Sequence, residues 1–182
     1  IFVQSELGEL AEADRSVGIA LEIAEALQAR RFIAEGLLFR AMLEHAAGDG
    51  KARDTLSKGI TIAREHPFYL LPFGLALQAL MATDAEERAD SLGEGEKLLA
   101  AGAISHNIPL FYRHAIDSCL AVQDWAGAER YAGAFESGMA AEPRPMFDFT
   151  IARARALAAA GRGHKDDGEI KPLLAESQHL GW

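Results

Sequence analysis

DWAGAERYAGAFESGM, residues Asp124–Met139, decides the fold class. Trp125, Ala128, Ala132, Phe135 and Met139 recur at steps of 3, 4, 3 and 4 residues, while Glu129, Arg130 and Glu136 fall elsewhere on the wheel. That spacing predicts one amphipathic helix. Upstream, Ala85, Ala89, Leu92 and Leu99 follow Asp84 in the same way, with Thr83 and Glu86 read as a capping box. Ala52, Leu56, Ile60 and Ala63 do so after Asp49. Each of these helices is preceded by a more apolar one: Phe32–Ala47, Phe68–Ala82 and Ile108–Val122, with Phe147–Ala160 as the next in line.

The turns between paired helices are placed at Asp14, Asp49, Asp84 and Asp124, at intervals of 35, 35 and 40 residues, with a last turn at Gly161–Gly168. A period of that length marks a helical-hairpin repeat. His66–Pro67, Gly102–Asn107 and Pro143 with Pro145 punctuate the chain between pairs. The expected hairpins are residues 1–29 (incomplete), 30–65, 67–101, 105–140 and 144–180, in one domain over 1–182. No single hairpin can shield its apolar face, so neighbours must stack, and the expected fold is an all-α, right-handed α-α superhelix. Small residues at Gly36, Gly74, Ala128 and Ala132 suit closely approaching helices.

Composition agrees with helix. Of 182 residues 35 are alanine, against 18 valine, isoleucine and threonine together, which makes a β-rich fold a poor expectation. Net charge is −9, the wrong sign for neutralising nucleic-acid phosphates or anionic lipid. The longest uncharged run, Pro67–Thr83, contains Pro72 and Gln78 and is too short to cross a bilayer comfortably. A lone cysteine, Cys119, suits a reducing cytoplasm, and the acidic start from Ser5 to Asp14 is unlike a signal peptide. With Ile1 first, the chain reads as a piece of a longer protein.

Catalytic patterns do not assemble. Gly48–Lys51, Gly93–Gly95 and Gly161–Lys165 lack phosphate-loop spacing and follow no predicted strand, so they read as turns or, at Gly93 and Gly95, as a weakened helix. No serine sits in a GxSxG elbow, and apolar neighbours deny Cys119 the cation a reactive thiolate needs. His106 and His114 lie about 12 Å apart along a helix, too far to share one ion. Ser105, His106 and Asn107 instead read as a capping turn for the helix near Ile108. Asp14, Asp84, Glu86, Glu87 and Glu129 read as acids at helix starts, where the macrodipole favours them. No metal, cofactor or catalytic residue is assigned.

The period resembles the tetratricopeptide-like superfamily, whose unit is about 34 residues and two antiparallel helices. A narrower resemblance lies in LLAAGAISHNIPLFYRHAID (Leu98–Asp117), DWAGAERYAGA (Asp124–Ala134) and AEPRPMFDFTIARARALAAA (Ala141–Ala160). These are similar to the C-terminal helical-repeat region of large bacterial signalling proteins that join a class III adenylate or guanylate cyclase domain to an ATPase module and degenerate tetratricopeptide repeats. The resemblance covers roughly residues 70–182 and implies a noncatalytic regulatory segment, with any cyclase or ATPase activity residing elsewhere in the parent.

In helical-hairpin solenoids the first helix of each pair lines the concave face. Tyr112, Arg113, Asp117, Arg153 and Arg155 on first helices are therefore the candidate binding residues, with Phe111 beside them assigned to the core. Expected partners are a protein segment or small effector and other domains of the parent chain. Self-association is a further reading, and a hydrolase or transferase using the groove is the least supported.

Overall fold

The computed structural model describes residues 9–141, 144–164 and 167–180. Among them are nine α-helices and no strand. They are α1 (Leu10–Ala26), α2 (Arg30–Ala46), α3 (Ala52–Ala63), α4 (Pro67–Met81), α5 (Ala85–Ala100), α6 (Asn107–Ala121), α7 (Trp125–Met139), α8 (Pro145–Gly161) and α9 (Asp167–Leu180).

Two kinds of helix alternate. The second helices α5 and α7 start on a capping aspartate: Asp84 accepts from the Glu86 and Glu87 N–H groups and Asp124 from Gly127 N–H, all at 2.9 Å, while α1 and α3 have no side-chain cap bond and Asp49 accepts from Lys51 N–H just before α3. The first helices α2, α4, α6 and α8 have no side-chain cap bond, and α4 and α8 open on Pro67 and Pro145.

Some sequence expectations need correction. Asp84, not Thr83, caps α5, because it is the residue whose carboxylate reaches the free N–H groups. Asp14 lies inside α1, which begins four residues earlier at Leu10, and Glu129 sits in the second turn of α7. Gly168 lies within α9, so the turn after α8 is shorter than Gly161–Gly168; Pro143 lies outside the described residues. The Ser105–Asn107 segment does not cap α6. Asn107, fully buried, instead donates from Nδ2 to the carbonyls of Tyr69 and Ile104, and Ile104 N–H donates to Phe68 O at 3.0 Å, so the start of α6 is tied to α4.

Each helix packs on its neighbours in sequence, and the first helices also pack on one another in the order α2, α4, α6, α8. Small residues set the approach. A Cβ at Gly36 would lie 2.6 Å from Leu21, and one at Gly74 would lie 2.9 Å from Leu38; Ala128 and Ala132 are fully buried. Gly95, read from sequence as a weak point in its helix, is a contact: an added Cβ would come 2.3 Å from the Phe111 ring. Two cores result. One, across α1–α4 with Leu110 of α6, is mainly leucine and alanine; the other, from α5 to α8 with Ala76 and Ala79 of α4, is built on Phe111, Tyr131, Phe135 and Phe147.

Arginine–carboxylate pairs join helices two apart. Arg53–Glu87 (2.9 Å), Arg64–Glu94 (2.6 Å) and Arg130–Glu96 (2.6 Å) link α3, α5 and α7, with partners 34, 30 and 34 residues apart. Arg153–Asp117 links α8 to α6, and Arg30–Glu65 and Arg162–Glu129 lie near helix ends. Exposed pairs of this kind contribute little to stability, because solvent screens them. Their value is in favouring one register of the stack.

Candidate functional site

The starts of α4, α6 and α8 border a cleft of about 640 Å³ against the middle of α2 and the end of α7. Its floor is apolar, from Phe39, Leu70, Leu110, Met139 and Phe147. Polar groups stand at its wall: Glu35, Tyr69, His106 and Arg144. Helix starts converge here because each first helix is preceded by a backbone-redirecting turn, and the stacking of first helices sets those turns side by side.

Aromatic rings mark the border. Phe32 meets Tyr69 edge-on at 6.5 Å between centroids, and Tyr69 meets His106 edge-on at 5.6 Å. The three residues are 37 apart in sequence and stand at the starts of α2, α4 and α6. The Arg31 guanidinium covers the Phe32 and Tyr69 rings at 4.8 and 4.6 Å. Tyr69 O–H donates to Glu35 Oε2 at 2.8 Å, and burial, with this carboxylate beside it, pushes the phenol up to about 12. Tyr69 therefore stays protonated and holds Glu35 in place. At the far wall Arg144 lies 5.8 Å from the Phe147 ring.

This is binding chemistry: an apolar bed with oriented polar groups at its edge. Among the described residues no three histidine, cysteine or acidic side chains come together as a metal site. His114 is buried, its Nδ1–H donates to Leu110 O at 2.7 Å, and its ring lies 5.3 Å from Phe73. Burial, helped by Arg113, lowers its pKa to about 4. Cys119 is buried and its thiol is raised to about 11, chiefly by desolvation, so it is a poor nucleophile. A smaller polar recess of about 330 Å³ between α3 and α5 is crossed by Arg53, which donates to Met81 O and Glu87.

No family model, curated protein or solved structure matches this chain.

The residues singled out from sequence divide into two groups. Asp117 Oδ1 accepts from both terminal nitrogens of Arg153 at 2.9 Å, and Arg113 lies close enough to sense both charges, while burial lowers its own pKa. These three form a cluster between α6 and α8. Tyr112 turns toward α7 instead, stacked on Phe135 at 5.9 Å and edge-on to Phe111, with its phenol pKa raised by burial. Arg155 pairs with Glu136 of α7 at 2.7 Å. Phe111 is fully buried. None of the five lines the cleft. Glu35, Tyr69 and Arg144 were missed, and the signal that points to the cleft is the 37-residue spacing of Tyr69 and His106, both on its wall.

Proposed function

We propose that this chain is a noncatalytic interaction and regulatory segment: a right-handed α-α superhelix of degenerate tetratricopeptide-like hairpins that holds a protein segment or small effector in the first-helix cleft. The observation that carries this reading is the cleft itself, walled by the first helices, with Tyr69 and His106 packed edge-on at its rim. First helices packed in series support the superhelical reading, since a repeat stack places its binding face along that row. The parent would be a cytoplasmic bacterial signalling protein of the nucleotide-cyclase kind, a proposal that rests on the sequence resemblance. Occupancy would act by differential binding, favouring one curvature of the stack and shifting the population toward it.

A small effector is a second occupant supported by a specific observation, because about 640 Å³ lies within the range of small-molecule sites. Screening a peptide array and a fragment library against the chain separates the two. Binders should weaken about tenfold or more in Glu35→Gln and His106→Ala while the thermal melt is unchanged, as loss of one oriented polar contact implies. Binding indifferent to both substitutions, or turnover of a nucleotide, ester or peptide, would sink the proposal.

A further inference from the structure

Glu35 is set apart from the other carboxylates that reach between helices. Glu87, Glu94, Glu96 and Asp117 each meet an arginine of another helix. Glu35, half-buried on α2, meets a phenol instead: Tyr69 of α4 donates to its Oε2 at 2.8 Å. Among the described residues its Oε1 has no hydrogen-bond or ion-pair partner. The Tyr69 phenol, pushed up to about 12, keeps its proton, so the negative charge of the pair sits on the carboxylate. Among the described residues Glu35 is also the one acid that lines the cleft.

The wall beside Glu35 is aromatic and the floor is hydrocarbon. Tyr69 and His106 stand edge-on at 5.6 Å, and Phe39, Leu70 and Leu110 continue inward. A carboxylate among rings holds an organic ammonium, since both the charge and the ring faces attract it. Two arginines bear on the sign of the ligand. Arg31 covers the Tyr69 ring at 4.6 Å, but it is exposed, screened by water and not among the residues that line the cleft. Arg144 stands at the far wall beside Phe147, where it favours an uncharged tail over a second ammonium. The net charge of −9 draws cations toward the chain as a whole. We propose, on the small-effector reading of the cleft, that it takes a small apolar amine, with the ammonium on Glu35 and the hydrocarbon body along Phe39, Leu70 and Leu110. A cleft of about 640 Å³ has room for such a molecule.

The probes are phenylbutylamine, phenylbutanol and phenylbutyrate, which share one hydrocarbon body and differ in charge, titrated against the full chain by calorimetry. The amine should bind about tenfold or more tighter than the alcohol, and the acid no better than the alcohol, as one desolvated charge pair implies. Glu35→Gln keeps an acceptor for Tyr69 and removes the charge; it should bring the amine down to the alcohol and leave the alcohol within about twofold of its starting affinity. His106→Ala should weaken amine and alcohol alike, through the wall that both share. On the unaltered chain, amine-dependent amide NMR shifts should centre on residues 35–39, 69–70 and 105–110. Equal affinity of the three probes, an amine preference that survives Glu35→Gln, or shifts elsewhere overturns the proposal. Binding of none of the three, while the peptide array or fragment library yields cleft binders, overturns the amine assignment alone. If those screens are silent as well, the cleft reading falls with it.

Discussion

The α1–α4 core and the α5–α8 core solve the same packing problem with different shapes. In the first, Leu21, Leu38, Leu56, Leu71 and Leu75 share the load, with Phe39 and Phe73 as a ring pair at 5.2 Å. In the second, large rings fit against small neighbours: Phe111 against Gly95, and Phe135 between Tyr112 and Phe147 at 5.9 and 5.2 Å. Aliphatic cores distribute a defect, since leucine side chains adjust rotamers. Ring-into-hole cores concentrate it. A flat ring fills its hole in one orientation, and neither partner is easily exchanged.

The sharpest break of that contrast is truncation on each side. Phe111→Ala should cost about 3–5 kcal/mol and Leu38→Ala about 2–5 kcal/mol, both sites being fully closed to solvent. In urea unfolding the ring variant should be the worse of the two. Equal losses would mean that the cores respond alike.

His114 joins the cores, lying against Phe73 of the first and on α6 of the second. Its imidazole is neutral when folded down to about pH 4 but takes a proton near 6.5 in the unfolded chain. Between those values the unfolded state binds more protons, so stability is lost as pH falls from 6.5 toward 4 and the loss levels off below 4. The full effect is about 3 kcal/mol. Subtracting the urea stability of His114→Gln from that of the unaltered chain over pH 7.5–5 should isolate this slope; a flat difference would refute the assignment.

The smallest pair lies on one helix. Gly93 has open space where a Cβ would go and Gly95 has the Phe111 ring. Gly93→Ala should stabilise by about 0.5–1 kcal/mol through helix propensity, whereas Gly95→Ala should destabilise by about 1–3 kcal/mol through overpacking. Thermal melts of opposite sign check this, and matching signs would show that the ring yields.

Helix positions were legible because apolar spacing survives in the buried stripes, as at Ala128, Ala132 and Phe135, and because aspartates mark three turns. Cap identity was not, since Thr83 and Asp84 are both capping types one residue apart and only backbone geometry chooses between them. Asp14 misled because the acidic α1 has no apolar boundary near its start. The cleft was hidden for a different reason. Its walls come from helices spread along the chain from Glu35 to Phe147, whose juxtaposition depends on how first helices stack. Arg153 and Arg155 show the same limit: two steps along one helix send them to different neighbours, Asp117 on α6 and Glu136 on α7.

The aspartates at the openings of α3, α5 and α7 have a bearing on how the polymer collapses. Initiating a coil is the uphill step and extending it is nearly free, so a carboxylate that ties down the first amides lowers the barrier where it stands. Such seeds stand at α5 and α7, where Asp84 and Asp124 hold the first-turn amides, and at none of the greasier rods between. Order in the unfolded polymer should therefore start at those two rods rather than in the oily segments between them.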